Sequence, residues 1–419
     1  MKVLIINHCA HNKGDNSVLY YLSKKLKEQK KIKSIYLSSS DGAFPFWDKT
    51  LFKDVSYWGQ GKTFNKKNEK ILNIFFLKLK NFFYKKIVFN IIIFLFGYKV
   101  DQINQIILKL FYNKKFINIL KKVDLVISSG GHHISSELDK NSICVQLTDM
   151  ISTIVFNKKL VLWSQSIGEV DYNCKYVVRA IRRLIQDSKY IFPRDDNSIN
   201  FIKKIKAYKS EKIFKCPDSV FGLQKKNINL KNKKKVALIA IYTAKKRSLV
   251  DENKYIDFFT KILNFLNKNK FKIILLPMQY KGLAGDERQT LQKISMLSDV
   301  KDVKIIDKDE NPKNTINLFH RSSLIIAHKT HAIFYGLSLS IPTLAIYYHK
   351  KAKNVMESYD LKKFAVDDKN LNFKNTIQLV DELIKNQKNF KRKIFKKTLP
   401  IYKMVNENFL KIIKKIDSN

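Results

Sequence analysis

A chain of 419 residues is too long for one ordinary domain and suits two. Apolar residues make up 45% and aromatics 12%, enough to bury cores, which excludes disorder along the whole chain. Lys and Arg number 80 against 36 Asp and Glu, formally +44, and only eight of the 80 are Arg. Such a Lys-, Asn- and Ile-heavy composition is what AT-rich coding DNA writes by default, so the charge is discounted as evidence for nucleic acid. It still favours anionic partners: phosphorylated substrates, acidic glycans or an anionic membrane surface.

Met1 leads straight into a strand pattern, Val3–Asn7, rather than a basic and then apolar leader, so no signal peptide is expected. After the strand comes Asn12-Lys13-Gly14-Asp15, then a helix whose Val18, Leu22 and Leu26 recur every four residues. Gly14 permits a tight turn, and Asp15 or Asn16 can cap the helix. By itself this is a capped turn, although a strand-to-helix junction also turns backbone N–H groups toward a ligand. Residues 45–120 are aromatic and basic with weak strand signal and read as a helical insertion. Its most apolar run, Ile87 to Tyr98, is broken by Asn90 and too short to span a bilayer. It reads as a buried helix or, with Lys78, Lys80, Lys85, Lys86 and Lys99 around it, as an interfacial one.

Strands follow at Leu125–Ser128, Leu160–Ser164, Tyr190–Phe192, Val236–Ile241, Ile273–Leu276, Leu324–Ala327 and Thr343–Tyr348, with helical patterns between many of them. That alternation predicts α/β layers with mainly parallel sheets. The polar stretch 225–235 is the linker candidate. Pro400 to Ile416 reads as a terminal amphipathic helix. Cys9, Cys144, Cys174 and Cys216 fit no metal or disulfide spacing and read as reduced thiols, as in the cytoplasm.

Four further motifs stand at strand ends, where open α/β folds place ligands. Ser128-Ser129-Gly130-Gly131-His132-His133 pairs two of a scarce residue, letting a substrate approach the backbone, or is a loop with incidental His. Trp163-Ser164-Gln165-Ser166-Ile167-Gly168 offers hydroxyl and amide groups suited to a sugar, or is an ordinary polar loop. Arg194, in a chain where Lys is the default cation, implies a need for a bidentate fork, toward a ligand or toward Asp195 or Asp196. Ala327-His328-Lys329-Thr330-His331-Ala332 is the sharpest. A strand precedes it and a helix from about His331 to Leu339 follows, so Lys329 and His331 stand at a helix N-terminus that favours an anion. An imidazole beside phosphate can act as a general acid.

Taken in order, these pieces resemble the polysaccharide pyruvyl transferases. They are N-x-G-D (Asn12, Gly14, Asp15), D-L-V-I-S-x-G-G (Asp124 to Gly131), Q-S-I-G (Gln165 to Gly168), R-D (Arg194, Asp195), P-D (Pro217, Asp218) and H-A-I-F (His331 to Phe334). The insertion at 45–120 lies outside the resemblance. The resemblance implies a GT-B-like α/β fold: two Rossmann-like domains facing a central cleft, at 1–228 and 229–395, with a helix at 396–419 returning to the first. It implies transfer of the enolpyruvyl group of phosphoenolpyruvate onto a sugar of a surface polysaccharide or glycolipid, giving a pyruvate ketal. His331 is then the general acid, and Arg194, Lys329, His328 and Thr330 bind the donor. Asn12, Gly14, Asp15, Gly130, Gly131, His132, Gln165 and Ser166 fall on the acceptor side. Phosphoenolpyruvate is a co-substrate; no cofactor and no metal are expected. Two positions depart from the family pattern: Lys329 stands where the family has Arg, a point charge in place of a fork, and His132 where it has a third Gly.

The implied setting is the cytoplasm or the inner face of the cell membrane. The glycan acceptor is lipid-linked or free, peripheral membrane contact runs through residues 70–99, and nucleic acid is not a partner. The alternative on the same scaffold is a nucleotide-sugar-dependent glycosyltransferase, for which Glu357 is the nearest ribose-binding carboxylate. A non-enzymatic basic protein that binds nucleic acid or membrane rests on net charge alone.

Overall fold

The computed structural model describes residues 1–9, 11–40, 50–57, 82–134, 143–168, 175–223, 235–242, 251–280, 286–308, 311–348 and 350–417. Most of the linker candidate, 225–234, lies outside the described residues, as do 45–49 and 58–81 of the expected insertion and 70–81 of the expected membrane segment. The chain divides into two units. The first comprises Met1–Ala10, Val18–Ser219 and Glu407–Asn419, and the second His11–Ser17 and Val220–Asn406.

The first unit runs β1 (Lys2–His8), α1 (Lys13–Lys27, its first turn counted with the second unit), β2 (Ser34–Ser39) and β3 (Asp54–Tyr57). A π-helical turn, Tyr84–Val88, leads into α2 (Phe89–Gly97), α3 (Asp101–Phe111) and α4 (Lys114–Lys122). Then come β4 (Leu125–Ser128), β5 (Gly131–Ile134), α5 (Ile143–Val155), β6 (Lys159–Ile167), α6 (Lys175–Asp187), β7 (Tyr190–Pro193) and α7 (Asp196–Lys204). Among the described residues these strands form one seven-stranded parallel sheet, β3-β2-β1-β4-β6-β5, with β7 also on β6. Leu162 pairs with both Ser128 and Ile191, so β4 and β7 flank β6. β1 and β4 are buried on both faces, which is why they read as unbroken apolar runs.

The second unit runs β8 (Val236–Ala240), α8 (Glu252–Lys268), β9 (Lys272–Leu275), α9 (Arg288–Met296), β10 (Val303–Ile305), α10 (Pro312–Arg321) and β11 (Leu324–Ala327). It continues with α11 (Thr330–Ser338), β12 (Thr343–Tyr347), α12 (Lys350–Ser358), β13 (Ala365–Asp367), α13 (Phe373–Lys385) and α14 (Gln387–Asp417), whose last turns belong to the first unit. Its parallel sheet has the order β10-β9-β8-β11-β12-β13. Five helix starts carry side-chain caps: Asn113, Asp195, Asp251, Asn311 (followed by Pro312) and Asn372 each accept a first-turn N–H. Asp15 and Asn16, read as caps of the first helix, lie inside α1, and Asn12 takes its Gly14 N–H instead.

Among the elements that differ from the sequence reading, β2, β5, β10 and β13 are strands where none was expected. Asp54–Tyr57, within the stretch read as a helical insertion, is an edge strand paired with β2. The helix read from about His331 starts at Thr330 with Lys329 as its N-cap residue. The terminal helix read from Pro400 begins at Gln387 and carries Pro400 in its interior. Proline there removes a helical hydrogen bond, but the turn before it is pinned. Thr398 is fully buried, donates to the Leu337 carbonyl at 3.0 Å and meets the Tyr359 hydroxyl at 3.0 Å.

Candidate functional site

In each sheet the first strand, β1 or β8, sends the chain outward on one side and later to β4 or β11 on the other. That reversal opens a crevice at the strands' carboxyl ends. The sequence places Asn7 and His8 with Ser128 and Ser129 at one crevice, and Tyr242 with His328 and Lys329 at the other.

In the second unit His331 sits in the first turn of α11, half-buried, beyond the end of β11. The N-cap residue, Lys329, places no side chain on the first-turn N–H groups, so the partial positive charge of that terminus is uncapped by it. The ring packs directly on the Asn12–Gly14 turn. A Cβ built on Gly14 would fall 2.1 Å from His331 Cγ and Nδ1. This close approach, rather than backbone conformation, is what requires glycine. Asn12 Oδ1 accepts the Gly14 N–H at 2.8 Å and shapes the turn.

A chain of polar contacts holds that turn in place. Lys13 N–H donates to the Met278 carbonyl at 3.0 Å, and Asn12 bridges Gln279. The 278–279 backbone is in turn fixed by Glu287, whose Oε2 accepts the N–H groups of Met278 (2.7 Å) and Gln279 (3.2 Å). Glu287 is fully buried and pairs through Oε1 with Lys329 Nζ at 2.6 Å. Burial pushes the Glu287 carboxyl above its ordinary range, against the pull of Lys329 and the two backbone donors. Lys329 is itself only 8% exposed and lies 4.1 Å from the Tyr242 ring centroid. Its ammonium is therefore committed to a buried carboxylate and an aromatic face. His328 is 1% exposed, shares a 2.8 Å hydrogen bond with the Tyr255 hydroxyl and faces Asp368 at 3.4 Å. Burial lowers its pKa, Asp368 opposing. Thr330 is half-buried at the start of α11, and Asp15 lies one residue beyond Gly14 in α1.

In the first unit Arg194, 8% exposed, pairs with the 1% exposed Asp218 at 2.7 Å and donates twice to Ser166 Oγ, at 2.8 and 3.1 Å. Ser166 donates on to Asp195, the cap of α7. The fork demanded by an Arg in a Lys-rich chain is thus met within the protein, with Asp218 as its carboxylate. Gln165 is fully buried; its amide donates to the carbonyls of Ser128 (3.3 Å) and Ser129 (2.5 Å), and among the described residues Oε1 has no hydrogen-bond donor. Two β-bulges aim this cluster. Asn7 and Ser164, both in the left-handed region, lie at the register shifts that set His8 and Gln165. Gly130 passes close to the Ser164 carbonyl, and the Gly131 Cα packs on the His133 ring. His133 is lowered to about 3 by desolvation, with the Arg194 charge and His8 adding to the shift. His132 stands half-buried beside it on β5.

Arg194 therefore belongs to the first unit with Gly130, Gly131, His132, Gln165 and Ser166. Asn12, Gly14, Asp15, His328, Lys329, Thr330 and His331 belong to the second. Sequence reasoning missed Glu287, Gln279, Tyr242, Tyr255, Asp368 and His8, whereas His133 stood in the Gly130-Gly131 motif. The one signal for the missed residues was position, since His8, Tyr242 and Gln279 stand just past apolar strands.

Doubly wound parallel sheets with polar groups at their switch points define a GT-B-like α/β protein. Solved structures agree. UDP-GlcNAc 2-epimerase from Neisseria meningitidis, bound to UDP-GlcNAc, is 13% identical, with TM-score 0.57 over 99% of this chain and 100% of its own. The S. aureus MnaA–UDP structure is 12% identical, TM-score 0.57, over 100% and 98%. Anabaena Alr3699/HepE, in complex with UDP and glucose, is 12% identical, TM-score 0.51, over 100% of both chains. At these identities the likeness is one of fold. No curated protein matches the chain. A model of the polysaccharide pyruvyl transferase family matches residues 5–350, and the chain belongs to that family.

Proposed function

We propose that the chain moves the enolpyruvyl group of phosphoenolpyruvate onto two hydroxyls of a surface-glycan sugar, forming a pyruvate ketal, with His331 as general acid. Family membership supports the reaction class. The observation that carries the assignment is the seat of His331: an imidazole held on Gly14 at the start of α11, beyond a parallel strand.

The chemistry asks for such a group. Protonating the methylene carbon makes it a methyl and leaves an oxocarbenium-like centre at C2. One sugar hydroxyl adds there and gives up its proton, which restores the imidazolium. A second hydroxyl then displaces phosphate, which departs with the remaining proton. Thr330 and the first N–H groups of α11 suit the donor's anionic groups. Lys329, spent on Glu287, acts by fixing the loop at 278–279 and hence the turn under His331. Of the residues expected on the acceptor side, Ser166 has its hydroxyl spent on Arg194 and Asp195, and Gln165 holds the Ser128–Ser129 backbone. The test is phosphate release from phosphoenolpyruvate that depends on added glycan. His331→Ala should lose it while melting normally, and full activity in that variant would refute the assignment. Titration with UDP-sugars in parallel addresses the glycosyltransferase alternative, whose ribose carboxylate, Glu357, already pairs with Lys362 at 3.3 Å.

A further inference from the structure

Among the described residues fifteen large apolar side chains are exposed, and ten of them fall within residues 82–111. They form two rows. Phe83 just before the π-turn, Ile87 within it and Phe94 of α2 make one, and Ile103, Ile106 and Leu110 of α3, spaced three and four apart, make the other. The Phe83 and Phe111 rings join the rows at 6.4 Å. The opposite faces are already used: Phe89, Ile92, Ile93 and Phe96 of α2 and Leu108 of α3 are buried in the core of the first unit. The exposed rows therefore add nothing to that core.

Side chains of this size, each about half exposed, present on the order of 800 Å² of apolar surface. The largest patch on a typical soluble monomer is about 300–600 Å². The surroundings are cationic. Lys86, Lys99 and Lys109 are exposed, and exposed Arg179 lies 4.3 Å from the Tyr98 ring centroid. Asp101, the one acidic residue between 82 and 122, is held by Arg183 at 2.6 Å. A protein partner for such a surface would need matching acidic residues. A bilayer with anionic headgroups supplies both the charge and the apolar interior. No described helix is long and apolar enough to cross a membrane, so the geometry is that of lying on one.

We propose that α2 and α3 present a membrane-docking face that settles into the headgroup layer of an anionic bilayer. It extends the sequence expectation at 70–99 to a second helix, and it does not depend on the reaction assigned above.

The test is co-sedimentation of the full chain with vesicles of phosphatidylcholine alone and of phosphatidylcholine mixed with phosphatidylglycerol. Wild type should pellet with the mixed vesicles and keep part of that binding at high salt, because the apolar contribution is not screened. The double variant Ile106→Asp, Leu110→Asp should bind at least tenfold more weakly with unchanged melting. Lys86→Glu with Lys109→Glu should weaken binding severalfold, at low salt only. Leu297→Asp, exposed elsewhere, should bind as wild type. Wild-type binding by the Ile106/Leu110 variant, binding that salt abolishes entirely, or no binding by wild type would each overturn the proposal. So would a wild-type dimer that the same variant splits without loss of vesicle binding.

Discussion

Replacing Gly14 with alanine perturbs the proposed acid through a residue that carries no functional group. The new Cβ would stand 2.1 Å from His331 Cγ and Nδ1 and 2.7 Å from His331 Cβ. Carbon contacts settle near about 3.5 Å, so the ring must retreat by about 1.4 Å or the turn must lift. The turn is held by the Met278 carbonyl and the Gln279 bridge, which leaves the ring to move. A displacement of about 1 Å at a catalytic group costs on the order of 10²-fold in rate. Stability should change little. Overpacking costs about 1–3 kcal/mol, and alanine in place of glycine within a helix returns at most about 1 kcal/mol. Acceptor-dependent phosphate release from phosphoenolpyruvate, read beside a melting curve, separates the two effects. A roughly hundredfold loss of kcat with a shift of a few degrees is expected. Wild-type kcat together with wild-type melting would show that His331 is not seated on Gly14 in the working enzyme.

Asp149 and Arg194 carry two further expectations. Asp149 is 2% exposed, accepts from the Tyr112 and Ser38 hydroxyls, and is pushed up to about 7 by burial. The folded state thus holds this proton more tightly than the unfolded chain, whose carboxyl titrates near about 3.9. The associated stability is complete below the unfolded value and is lost as pH rises through about 7, an amount on the order of 4 kcal/mol. Asp149→Asn should therefore gain in melting temperature relative to wild type between pH 4 and 8; a difference that stays flat with pH would contradict the burial argument. Arg194→Met strands the buried Asp218 carboxylate and should cost about 3–5 kcal/mol, whereas unchanged melting would mean the pair is not formed in solution.

The strands found from the sequence are those whose physics is local. β1, β4, β8 and β11 are sheet-centre strands buried on both faces, and each reads as an apolar run. β3, β10 and β13 escaped notice because they are three- or four-residue edge strands, paired on one side and free to be polar. β2, SIYLSS, was hidden by its serines, of which Ser38 and Ser39 are buried. The motif residues were legible because strand ends of parallel sheets collect function. Their partners were not, because Glu287 reaches Lys329 across 42 positions and Asp218 reaches Arg194 across 24.

Local pattern by itself determined the α/β class, the polar turns after the strands, and the motif order that marks the family. Only the tertiary structure decided what each cation does. A side chain's charge is a property of its residue, but the group that receives it is set by distance and burial. In a chain with 80 basic residues, the two cations singled out both proved to be held by buried carboxylates, and the imidazole of His331 proved to be seated on a glycine.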